Sequence, residues 1–123
     1  MKFFFVFLLF LAQNVFSQIY FKKIPIDTSY SFRGLSVVDD SVAWVSGNGF
    51  GRTTNGGENW TFKKVKNFET EDFRSVYAFD FNTAIIANAG SPAYILHTND
   101  GGENWKIVYQ NNDSLAFFDG MDF

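Results

Sequence analysis

The chain has 123 residues, a formal net charge of −3, 46% hydrophobic and 20% aromatic residues, and no cysteine. That length suits one domain, the apolar content excludes a disordered chain, and the acidic balance argues against nucleic acid or an acidic membrane surface as partner. Without cysteine, these residues carry neither a disulfide nor a cysteine-borne lipid anchor.

Residues 1–17 read as a secretory signal peptide. Lys2 is a basic start, residues 3–12 are an unbroken apolar run, and Ser17 is the small residue at a cut before Gln18. The run is too short for a membrane span; an uncleaved anchor is the alternative. The expected location is secreted or periplasmic, with no stable membrane anchor. Loss of Lys2 takes the formal charge from −3 to −4. Residues 18–31 then give a short N-terminal strand at 19–24, stopped by Pro25, and a polar linker.

A repeat follows. The first unit, residues 32–65, predicts strands at 33–38, 42–45, 50–54 and 60–65, with turns at Asp39-Asp40 and Gly47-Asn48-Gly49. Residues 66–72 are a charged connector. The second unit, residues 73–110, repeats the order with strands at 74–79, 84–87, 93–97 and 105–109. A third unit starts at 117, where Phe118 aligns with Phe73 and Phe32. Trp60 to Trp105 is 45 residues, and so is Phe73 to Phe118. Four short strands in a repeat of about 40–45 residues mark a propeller blade. The second strands, Val42 to Val45 and Ala84 to Ala87, are apolar on both faces, as expected of strands sandwiched between blades.

The last hairpin of each unit holds the most distinctive motif: Thr53-Thr54-Asn55-Gly56-Gly57-Glu58-Asn59-Trp60 and Thr98-Asn99-Asp100-Gly101-Gly102-Glu103-Asn104-Trp105. Asn55 or Asp100 is expected to accept backbone N–H groups one to three residues on, the glycines to take positive φ, and the Trp to cap the apolar side with its N–H near the surface.

The motif resembles the Asp-box, or BNR repeat, of sialidase-like β-propellers. Thr98, Asp100, Gly102 and Trp105 match it; Thr53, Gly57 and Trp60 match in the other copy, with Asn55 in place of Asp. In that family the box is a structural hairpin away from the active centre. The wider phrasing, Phe32-Arg33-Gly34-Leu35-Ser36-Val37 through Val42-Ala43-Trp44-Val45-Ser46-Gly47 to Arg52-Thr53, is similar to the secreted bacterial propellers of the photosystem II stability/assembly-factor type. That resemblance implies an all-β, seven-bladed ring and a scaffold or binding role, without requiring a photosynthetic one. Propellers close with roughly four to eight blades. The chain is therefore expected to be the N-terminal portion of a longer propeller, whose remaining blades come from C-terminal sequence and whose last blade is closed by the strand at 19–24. Assembly of blades from several copies is the alternative.

Arg33, Arg52 and Arg74 are the only arginines. Arg33 and Arg74 share one place in successive units and are the candidate ligand-binding residues, since a guanidinium binds a carboxylate through two N–H groups. A structural role is the competing reading. The lone His97 occupies the place of Arg52 and reads as a strand-edge residue. Asp100 lacks calcium-loop spacing. Asp39, Asp40, Asp80 and Asp119 could pair for glycoside hydrolysis, but Asp39 and Asp80 are equivalent turn residues. No catalytic, metal or cofactor site is expected. The expected activity is non-enzymatic, mediating protein or assembly interactions with a protein or glycan partner. A sialidase-like glycoside hydrolase with catalytic blades elsewhere is the alternative.

Overall fold

The computed structural model describes Ile19 and residues 21–121. The signal-peptide reading of residues 1–17 lies outside them. The described residues form two four-stranded antiparallel sheets and no helix. The first contains β1 (Phe32–Val37), β2 (Ala43–Gly47), β3 (Phe50–Thr53) and β4 (Thr61–Lys63). The second contains β5 (Phe73–Ala78), β6 (Ala84–Asn88), β7 (Ala93–Thr98) and β8 (Lys106–Asn111). In each sheet the strands neighbour one another in chain order. These are two consecutive blades of a β-propeller.

Each blade is built by local turns. Asp39 Oδ1 accepts the N–H groups of Ser41 and Val42, at 2.7 and 2.8 Å. Asp80 Oδ1 accepts those of Asn82 and Thr83, both at 2.7 Å. The carboxylate folds the chain back between the first and second strands. These two aspartates are thus held as turn residues. The box is tied to the same turn, because Gly56 N donates to Ser41 O and Gly101 N to Asn82 O.

The core lies between the sheets. Trp44 is fully buried, as are Phe50, Ile86 and Leu96 to within 1%. Trp105 packs edge-on against Trp44 and Phe50, at ring separations of 6.4 and 5.4 Å. The Trp44 indole N–H crosses the joint to donate to Asp80 O at 3.1 Å. Arg52, the Cα partner of Trp44 on β3, lies 5.4 Å from the Trp44 ring and donates to Phe81 O. Between β1 and β5, Ala78 N donates to Ser36 Oγ at 2.9 Å. Gly34 allows this approach: a Cβ there would meet Ser46 Oγ at 2.5 Å and Arg74 O at 3.0 Å.

Two expectations differ from what forms. Residues 21–27 carry no strand, and Ile19 and Phe21 are 80% and 95% exposed. A strand needs a ladder, and neither sheet pairs with this segment. Residues 117–121 also form no strand; Phe118 lies 5.9 Å from Tyr109, and Phe117 lies beneath Arg74.

Trp44→Ala removes the side chain shared by both blades and should cost about 3–5 kcal/mol in urea unfolding. Leu35→Ala, on the exposed face of β1, should stay within about 0.5 kcal/mol in the same assay.

Candidate functional site

Arg33 and Arg74 sit at the same structural irregularity. In the first sheet, Phe32 pairs with Gly47 and Gly34 with Ser46, so Arg33 is the extra residue of a bulge. In the second, Phe73 pairs with Asn88 and Ser75 with Ala87, and Arg74 is the extra residue. A bulge re-aims the side chain it carries. Here both guanidinium groups converge on one carboxylate: Asp72 Oδ2 is 3.0 Å from Arg33 Nε and 3.8 Å from Arg74 Nε. Arg74 Nη1 also approaches Asp119 at 3.7 Å, and its guanidinium lies 5.1 Å from the Phe117 ring centre. Arg33 is about half exposed and Arg74 and Asp72 about a third. Ion pairs this wet are worth about 0–1 kcal/mol. They therefore order the arginines without consuming the binding capacity of a five-donor fork.

Sequence reasoning placed Asp72 in a charged connector and missed its role. Its position immediately before the β5 bulge was the available signal. Arg52 does not join this pair, because it is committed to the joint between blades. His97 lies within β7, opposite Ile85 and Lys106. No group of three or more metal-ligating side chains occurs among the described residues.

The two boxes share one hydrogen-bond plan. Thr98 Oγ1 accepts from Gly102 N at 3.0 Å and donates to Asp100 Oδ1 at 2.8 Å. Asp100 Oδ1 accepts from Asn104 N at 3.0 Å, and Oδ2 from Asn104 Nδ2 at 2.9 Å. Thr53 Oγ1 accepts from Gly57 N at 2.9 Å and lies 3.1 Å from Asn55 Oδ1, which accepts from Asn59 N at 2.9 Å. In both boxes the reach extends to four residues, one beyond the expected one to three, because two successive left-handed glycines bring that N–H round; in the second box Glu103 N, three residues on, also contributes. Gly101 and Gly102 have φ of +73° and +88°. The indole nitrogen atoms of Trp60 and Trp105 are buried rather than near the surface: Trp60 stacks on Phe62, and Trp105 sits edge-on against Trp44 and Phe50. Backbone and side-chain donation from Asn104 holds the Asp100 carboxyl down at about 2, from an ordinary 3.8. Backbone donation from Asn82 and then Thr83 lowers Asp80.

Comparison with known proteins gives one family. The family profile described as photosynthesis system II assembly factor YCF48 matches residues 13–114. A curated relative, the photosystem II assembly lipoprotein Ycf48 of Synechococcus sp. (strain CC9902), is 29% identical over 90 residues, covering 72% of this chain and 27% of the relative. The solved structure of YCF48 bound to D1 peptide is similar with a TM-score of 0.57 and 28% identity, over 73% of this chain and 30% of that one. YCF48 from Cyanidioschyzon merolae is similar in fold, with a TM-score of 0.56 at 24% identity, over 75% of this chain and 30% of that one. The chain thus spans less than a third of the length of these relatives.

The lowered Asp100 sets a pH dependence. A carboxyl depressed in the folded state stabilises fully above its unfolded value near 3.8, and that contribution fades as pH falls towards 2. Asp100→Asn should fold at neutral pH, as Asn55 allows in the first box. Its urea midpoint should fall less between pH 5 and pH 2.5 than that of the parent chain.

Proposed function

The chain belongs to the photosynthesis system II assembly factor YCF48 family, and from that premise we propose that it supplies two blades of an extracytoplasmic, non-enzymatic propeller that holds a peptide segment of a protein partner. The observation that carries this reading is the match over residues 13–114 to a family with a solved member bound to a D1 peptide. The geometry adds a contact point. Arg33 and Arg74, brought to one side by their bulges and bridged by Asp72, offer paired guanidinium groups to a carboxylate of the bound segment. Asp72 is then the internal stand-in that the ligand's carboxylate displaces or joins.

The extracytoplasmic placement draws on two features: the leader-like residues 1–17 and the lipoprotein character of the Synechococcus relative. With no cysteine among these residues, we propose export and cleavage after Ser17 rather than lipid anchoring here. The ring-closing role of residues 19–24 belongs to the same proposal, since an exposed apolar segment without a ladder is suited to pairing with a blade edge.

Two measurements test the reading. In calorimetric titration with a D1 peptide, the Arg33→Ala, Arg74→Ala double variant should bind on the order of tenfold more weakly than the parent chain. Its melting temperature should change little, because its lost ion pairs are exposed. Equal binding by both proteins would remove the arginines from the site. Mass spectrometry of the exported protein should show Gln18 at its N-terminus; a retained Met1 would refute the processing step.

A further inference from the structure

One phenylalanine recurs three times along the chain with different neighbours: Ser31-Phe32-Arg33, Asp72-Phe73-Arg74 and Phe117-Phe118-Asp119. The place that carries a guanidinium in the first two units carries a carboxylate in the third. The structure sets these side chains in a row. Arg33 and Arg74 both approach Asp72, and Arg74 Nη1 lies 3.7 Å from Asp119 Oδ1. Positive and negative groups thus alternate along the cluster, in the order Arg33, Asp72, Arg74, Asp119.

Two guanidinium groups and two carboxylates leave this set formally neutral, so it exerts no net attraction on an anion at a distance. A ligand carboxylate drawn to Arg33 and Arg74 is repelled by both acids, well inside a Debye length. The two acids are held differently. Asp72 Oδ2 lies 3.0 Å from Arg33 Nε, and Asp72 O accepts Ala89 N at 3.0 Å, which fixes Asp72 within the cluster. Asp119 stands at the end of the row, and its 3.7 Å approach to Arg74 is longer than a hydrogen bond. That contact leaves the hydrogen-bonding capacity of the Asp119 carboxylate unspent. Two residues before it, the Phe117 ring beside Arg74 offers an apolar surface on which an aliphatic stem can lie.

We propose that Asp119 is a specificity-determining residue of the peptide site. The bound segment carries an acidic side chain for Arg33 and Arg74 and, two residues away, a basic side chain for Asp119. Two residues is the shortest spacing that keeps both side chains on one side of an extended segment. The ligand's cation then offsets the repulsion that a lone carboxylate meets in a neutral cluster. This inference rests on the reading of the arginine cluster as the contact point for a bound segment, and it adds the second charge that the segment must bear.

The test titrates three end-capped glycine–serine heptapeptides into the full chain and follows the Nε–H resonances of Arg33 and Arg74 by NMR. One peptide carries Glu followed two residues later by Lys, one carries the reverse order, and one carries Glu alone. The peptide with Glu alone should bind roughly three- to fivefold more weakly than one of the two paired orders, the scale of an exposed charge pair. Asp119→Asn should remove that advantage with the circular dichroism spectrum intact, and about 0.5 M sodium chloride should shrink it. Glu58→Gln removes the same charge from the box, which bonds to the turn at the far end of β1 from the bulge, and should leave the advantage in place. Equal binding of the Glu-alone peptide and both paired peptides overturns the inference and leaves the arginine reading standing. So does a paired advantage that survives Asp119→Asn. If no peptide shifts the Arg33 and Arg74 resonances at millimolar concentration, the arginine reading and this inference fall together.

Discussion

The structure depends on the seating of Trp44 and its cross-strand neighbour Arg52 against the glycine corner of the next blade. Either blade alone is a small twisted sheet with an apolar face in water, and such a sheet is marginal. The joint turns two of them into one core. It combines burial of a large ring with directional bonds to Asp80 O and Phe81 O, which a merely greasy contact would lack. Those bonds fix how far one blade slides along the other, and hydrophobic burial alone is non-directional.

The box therefore does two things with the same residues. Its Thr and Asp or Asn side chains satisfy the N–H groups of a tight turn, and its glycines leave room for the neighbour's side chains. The turn between the first two strands joins in, since Gly56 and Gly101 each bond back to it. Blade interior and blade interface are thus specified together. A larger residue at Gly102 would fail twice, once for its φ of +88° and once for the Phe50 ring.

Much of this was readable in the residues. The 45-residue spacing of Trp60 and Trp105, and the turn chemistry of Asp39 and Asp80, located all eight strands to within a residue or two. What periodicity could not reveal was which neighbour a side chain meets. Trp44 looked like any buried strand residue, and its role emerges only when the sheets are set side by side. The bulges at Arg33 and Arg74 were hidden for a related reason: an extra residue is defined by pairing register, which a single strand does not display. The short strand expected at 19–24 had suitable composition and lacked a partner, and composition is silent about partners. The Asp72 bridge was obscured because a connector rich in charge offers several equivalent carboxylates.

The first box also has a bearing on chemical ageing. Asn55 precedes Gly56, and an asparagine–glycine pair is the usual place for succinimide closure, in which the following backbone nitrogen attacks the side-chain amide. Asparagine is among the thermolabile residues for this reason. Here the Gly56 nitrogen is engaged with Ser41 O at 2.8 Å, and the Asn55 amide oxygen is held by Asn59 N. The reacting atoms are thereby kept from one another. Hydrolysis that did reach the α-aspartyl product would leave at position 55 the residue that position 100 already carries, whereas the isoaspartyl product would add a methylene to the backbone of the tight corner.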